Sequence, residues 1–216
     1  MKEKRTYYFS VEGETEQWYL EWLQKAINAE ASAAYLVKLD SKIQKDPLSR
    51  AKQMTIIGKT TISHLVDVES NEHAHVQQFR ETLKRMKDAQ KSGKNIVYRL
   101  GYSNYTFELW MILHKNDCYS SYSCRHQYLT PLNRAYDEHF ENLEQYKQES
   151  NYKRILSKLT LDDVRQAIRR SKAIIKQNNE HGYRLQRYCN YEYYSENPSL
   201  SVRECIEQIL KDCKLL

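Results

Sequence analysis

The sequence predicts an α/β fold, a mostly parallel sheet flanked by helices with a helical C-terminal extension. Three observations carry that prediction. Short runs rich in aromatic and β-branched residues alternate with helix-periodic runs from the N-terminus to about His114. Three strand-like runs lead into acidic islands: Val11-Glu12-Gly13-Glu14-Thr15-Glu16, Asp67-Val68-Glu69 and Ser103-Asn104-Tyr105-Thr106-Phe107-Glu108. A chain of 216 residues, 40% hydrophobic and 12% aromatic, can build one sizeable core or a core with a smaller appendage.

Residues 5–11 are aromatic and β-prone and end at Gly13, which makes them a strand. Tyr19, Trp22, Leu23, Ala26 and Ile27 then recur at helical spacing, giving an amphipathic helix that begins near Thr15. Residues 34–39 suit a second strand. Asp46-Pro47 opens a helix running to about Gly58, with proline where a first turn tolerates it. Thr60 to Val68 is a third strand, and Val76, Phe79, Leu83 and Met86 form the apolar stripe of the next helix. Lys91-Ser92-Gly93-Lys94-Asn95 breaks that helix before a fourth strand at 96–100. A short apolar helix follows, carrying Phe107, Leu109, Trp110, Ile112 and Leu113.

Beyond residue 116 the character changes. Asp117 to Tyr128 reads as a polar loop, and 132–148 and 160–179 read as helices, the second opened by the capping sequence Thr160-Leu161-Asp162-Asp163. A last amphipathic helix carries Val202, Cys205, Ile206, Ile209 and Leu210. With no flexible linker or repeat in between, residues 1–116 read as the core and 117–216 as a helical extension packing on it.

Net charge is +6, a moderate excess that serves solubility as readily as binding to a polyanion. The five cysteines show no CxxC spacing, and neither a secretory signal nor an apolar run near 18 residues is present, so a reduced, cytoplasmic protein without membrane contact is expected. Cys118, Cys124 and His126 are spaced too irregularly to favour zinc.

A parallel sheet brings successive strand ends to one edge, where the islands can meet. Carboxylates with neighbouring Ser and Asn oxygens form the hard-oxygen donor set that Mg2+ prefers. Glu12 and Glu16 are one helical turn apart across Gly13, and Asp67 and Glu69 share a face of an extended segment, where their charges repel unless something compensates. Glu108 falls one turn into a helix, beside Ser103 and Asn104. His114 either donates to phosphate or caps that helix. The competing reading is that these acids are first-turn residues complementing helix dipoles, or solvated turns. If they converge, metal-assisted phosphodiester hydrolysis follows, with any carboxylate not engaged as a ligand free to act as general base.

Taken in order, the three islands, extended through Ser103-Asn104-Tyr105-Thr106-Phe107-Glu108-Leu109-Trp110-Met111-Ile112-Leu113-His114, together with Asn197-Pro198-Ser199-Leu200-Ser201-Val202, resemble the RloB family. That family is related to the second component of the AbiL abortive-infection system. The resemblance implies a Toprim-like fold and a Mg2+-dependent nuclease, with Mn2+ as an alternative ion. It implies a role in prokaryotic defence beside an ATPase partner, with DNA or RNA as substrate. By position it assigns Glu12 and Asp67 to catalysis, and Glu12, Glu16, Asp67, Glu69 and Glu108 to the metal, with Ser103, Asn104 and His114 in support. Glu69 stands where Asp is usual. Tyr105 stands where Pro is common, which predicts a less constrained turn. The rival expectation is a non-catalytic Toprim-like binding subunit, and self-association is left open.

Arg165, Arg169 and Lys172 share a helix face at i, i+4, i+7, which suits phosphate tracking or simple solvation. Tyr183, Tyr188, Tyr191, Tyr193 and Tyr194 alternate with Arg184 and Arg187, a pattern for base stacking or for packing on the sheet.

Overall fold

A computed structural model describes residues 2–216. Strands β1 (Lys4–Val11), β2 (Leu36–Ile43), β3 (Thr60–Val68) and β4 (Ile96–Asn104) form one parallel sheet in the order β2-β1-β3-β4. Helices α1 (Glu14–Ala29), α2 (Pro47–Gln53) and α3 (His73–Gln90) make the connections, and α4 (Glu108–Leu113) follows β4. The extension contains α5 (Leu129–Tyr136), α6 (Leu143–Tyr146), α7 (Glu149–Ser157), α8 (Leu161–Glu180), a hairpin of β5 (Gln186–Tyr188) and β6 (Tyr191–Tyr193), and α9 (Val202–Asp212).

Alternation along the strands gives each sheet face its own core. One face buries Phe9 and Val11 with Tyr19 and Leu23 of α1, and this cluster runs on without a break through Trp110, Tyr152, Ile168, Ile206 and Leu215. The extension therefore shares the main core with the sheet. The other face buries Ile62, Val66, Tyr98 and Tyr102 beneath Phe79 and Leu83 of α3 and Tyr191 and Tyr193 of the hairpin. The outward edge of β2 is covered by α1 side chains: Asn28 and Gln24 accept from the amides of Val37 and Leu39, and Gln17 donates to the Ser41 carbonyl. An edge so covered is closed to strand addition.

Several elements differ from the sequence expectation, among them α7, which lies where the sequence predicts no helix. Strand β4 extends to Asn104 rather than ending near Leu100, because residues 101–104 continue to pair with β3. Helix α2 stops at Gln53, well before Gly58. The helix expected over 132–148 is broken. Asp137 turns left-handed (φ 52°) at the end of α5, and Asn133 exchanges two hydrogen bonds with the Phe140 backbone to hold the bend. The tyrosine-rich segment forms the β5–β6 hairpin, turning through left-handed Cys189 and Asn190, as tight hairpins require. Tyr191 and Tyr193 go into the core, which is the packing alternative for that segment.

Candidate metal and catalytic site

Strands β1 and β3 pair only from Tyr8–Ser10 to Ile62–His64 and part toward their C-terminal ends. Beyond the last rung a side chain replaces the missing backbone pairing: Asp67 N–H donates to Glu12 Oε2 at 2.9 Å. This contact locks the first and second acidic islands together. Gly13 precedes α1 in an extended conformation and allows a close approach, since a Cβ there would stand 3.2 Å from Glu16 Oε2. Thr15 Oγ1 donates to the same oxygen at 3.1 Å, and both side chains are buried.

The third island arrives through an unusual turn. Tyr105, between β4 and α4, has φ 64°, a left-handed conformation that a bulky L-residue rarely adopts. Its N–H donates to the Val68 carbonyl at 2.7 Å, which ties the second and third islands. Proline has neither this φ nor this donor. The departure at 105 therefore does not loosen the turn. It builds a different turn, fastened to β3. Glu108 then lies at the first position of α4, 1% exposed, with Oε2 accepting from Thr106.

Burial and like charge act on these acids together. Burial pushes the Glu12 carboxyl up to about 7, with Glu16 and Glu69 adding to the rise and the Asp67 amide and Lys45 opposing it. Burial raises Asp67 well above the usual carboxylate range, with Glu16, Glu12 and Glu108 raising it further. Glu16 is raised by burial and by Glu108. One cation stands among them. Lys147, at the end of α6, places Nζ 3.2 Å from Glu108 Oε1. Burial opposes its charge, but Glu108, Asp67 and Glu16 outweigh that and raise its pKa.

Four acids from three strand ends thus share one electrostatic neighbourhood, but they do not close round a single point. Among the described residues, no three Asp, Glu, His or Cys side chains stand close enough to hold one ion as placed. The donor chemistry nevertheless suits a hard divalent cation, and the buried polar atoms support that fit. Glu108 Oε1 makes no hydrogen bond of ordinary geometry, but the Lys147 ammonium 3.2 Å away already serves it as an ion pair. The hydroxyls of Ser103, Tyr146 and Tyr152 are buried without partners. Buried polar groups are normally satisfied, so such a concentration beside carboxylates is what a ligand-binding site leaves. The residues that would hold the ion are Glu12, Asp67 and Glu69, with Glu16 and Glu108 behind them.

Glu69 faces the same cavity as Asp67. It lies past the end of β3, half exposed, and pairs with His75 Nε2 at 3.3 Å, while His75 Nδ1 shares a hydrogen bond with Ser70 Oγ at 2.7 Å. Glu12, Asp67, Glu69 and His75 line that one cavity of about 10 Å³, near the room that a single water needs.

Ser103 sits beside Asp67 in the sheet register, with its side chain buried. Asn104 has a scaffold role: its amide donates to the carbonyls of Tyr194 and Glu196, and its N–H donates to Ser199 O. The Asn197-Pro198-Ser199 segment thereby clamps the end of β4, aided by Tyr128 donating to Asn197 and by the Tyr102–Ser199 hydroxyl pair. His114 is not a phosphate donor. It is 1% exposed, Nδ1 donates to the Trp110 carbonyl, and Nε2 accepts from Tyr19 at 3.1 Å. Burial lowers its pKa to about 4, so the ring is neutral.

The basic face of α8 is largely committed to the fold. Arg165 donates to the Leu215 carbonyl, and Lys172 pairs with Glu207 at 2.7 Å. Arg169 is exposed and makes no ion pair among the described residues. Sequence reasoning missed Lys147, His75, Tyr146 and Tyr152 at the site. For Lys147 no signal was available, because a lysine in a polar stretch looks like any solvated lysine.

No curated protein and no solved structure matches this chain. A family model described as RloB-like protein matches residues 7–209, which include all three islands and the clamp at Asn197-Pro198-Ser199. The chain belongs to the RloB-like protein family.

Proposed function

We propose that the chain is a Mg2+-dependent nuclease of prokaryotic anti-phage defence, hydrolysing phosphodiester bonds of DNA or RNA and working with an ATPase partner in the cytoplasm. The observation that carries this reading is the junction of strands β1 and β3. There Glu12 and Asp67 are locked together by a 2.9 Å hydrogen bond, with Glu16 and Glu108 buried behind them. The carboxyls of Glu12, Glu16 and Asp67, raised by burial and by their neighbours' charge, need a cation, and hard oxygens select Mg2+ or Mn2+. The family, and the Toprim-like arrangement that its motifs imply, supply the defence setting.

A bound divalent ion would polarise the scissile phosphate and acidify the attacking water. Asp67, Glu69 and Glu12 line the cavity where that ion would sit. Glu12 keeps Oε2 on the Asp67 amide, so Oε1 either joins the ion or, where it is not a ligand, takes the proton of the attacking water. His75 steadies the longer arm of Glu69. Arg169 offers a phosphate contact away from the site.

One observation favours the second reading, a non-catalytic Toprim-like subunit: Lys147 already pairs with the cluster. The test is cleavage of plasmid DNA, single-stranded DNA and tRNA with Mg2+ or Mn2+, with and without the ATPase, alongside Glu12→Ala and Asp67→Ala. Metal-dependent cleavage lost in both variants supports the nuclease. Inactivity on every substrate with the partner present, while nucleic acid or ATPase is still bound, supports the binding subunit.

A further inference from the structure

Asp67 divides the acidic site into two halves of different character. On one side Glu16 and Glu108 are buried, 6% and 1% exposed, and they share Asp67's field with Lys147. On the other side Glu12, Asp67 and Glu69 line the cavity of about 10 Å³ with His75 and Gln78. The first half already holds a cation, and the second has room for one.

Lys147 does not sit there by chance of rotamer. Its N–H donates to Leu143 O, and it follows Tyr146, whose ring packs 5.3 Å from that of Tyr152, both wholly buried. Tyr152 packs its ring 5.7 Å from Trp18 of α1, the helix that carries Glu16. The backbone that presents Lys147 is therefore anchored to the same helix as one of the acids it faces. The extension supplies the charge that the sheet edge lacks.

Resting on the metal-dependent reading above, we propose that Lys147 is a tethered cation filling the Glu16–Asp67–Glu108 half of the site, so that the chain takes a single divalent ion, on the Glu12–Asp67–Glu69 side. A second ion in that half would have to share Glu108 with an ammonium 3.2 Å away, a like-charge contact. One ammonium and one divalent ion together also balance the carboxylates better than the ammonium alone.

The experiment counts Mn2+ ions bound to the full chain, by calorimetry and by the electron paramagnetic resonance signal of free Mn2+. The expected result is one ion for the wild type, one for Lys147→Arg, and two for Lys147→Ala and Lys147→Gln. Circular dichroism melts establish which variants are folded, and the wild-type and Lys147→Arg counts stand whatever the others do. Two ions on the wild type overturn the proposal, as does one ion on folded Lys147→Ala. No ion on any form overturns the metal-dependent reading itself, and the proposal falls with it.

Discussion

Glu12→Gln removes an ionisable buried group while keeping an amide oxygen able to accept the Asp67 N–H. In the wild type the Glu12 carboxyl stands at about 7, against 4.5 in an unfolded chain. A carboxyl raised on folding contributes stability that is fully present below the unfolded value and is lost as pH rises through the folded one. At 1.36 kcal/mol per unit, the ionised group weakens the metal-free fold by about 3 kcal/mol above pH 7. The variant escapes that weakening, and the figure already includes the charge-assisted bond from the Asp67 amide, which holds the carboxyl down. The gain is about 3 kcal/mol in alkaline solution, or roughly 6–12 °C in Tm for a chain of this size. At pH 4 both forms are neutral and the gain disappears. Urea titrations in EDTA at pH 4 and pH 8.5 measure it. Because Asp67 and Glu16 are raised in the same direction, the variant keeps part of the pH slope. Glu12→Gln no more stable than the wild type at pH 8.5 would refute the view that an uncompensated buried charge sits at this strand end. The same substitution is expected to abolish cleavage, because the ion's ligand or the general base is gone.

His114→Ala loses the acceptor for Tyr19 and the donor to Trp110, and destabilises by about 2–4 kcal/mol through cavity and unpaired-group effects. Its cleavage rate per folded molecule, measured well below its Tm, is unchanged, and a selective fall in kcat would restore His114 to the chemistry. Tyr105→Pro forbids φ 64° and deletes the bond to Val68, so chemical denaturation should reveal a loss of about 3 kcal/mol or more. A near-neutral result would mean that the turn tolerates proline. Arg169→Ala should reduce the salt slope of nucleic-acid binding by about 1 in a fluorescence-anisotropy titration. Lys172→Ala, whose charge is already paired with Glu207, should change that slope less. Equal effects would contradict the pairing.

Local pattern carried much of the architecture. Strands β1 and β3, helices α1, α8 and α9, and the capping box at Thr160 follow from periodicity and from side chains that bond to their own backbone, so they are legible without any partner. The break of the 132–148 helix was not legible. It depends on Asn133 reaching Phe140 and on Asp137 turning left-handed, and neither choice changes the apolar spacing. The tyrosine hairpin was ambiguous for a related reason. An amphipathic ring suits a base or a core edge equally, and only the presence of Phe79 opposite Tyr193, ring centres 4.9 Å apart, decides.

Acids at three strand ends are legible from the chain alone, because composition and period locate strand ends and a parallel sheet gathers them. Only the tertiary structure decided what those acids face. Through-space neighbours set charge balance, and neither the Lys147–Glu108 pair nor the Asp67 amide on Glu12 has a counterpart in local spacing. It also decided that His114, inside a motif full of chemistry-bearing residues, belongs to the core. Burial is a property of the whole packing, and a ring whose two nitrogens are already satisfied has nothing left to offer a substrate.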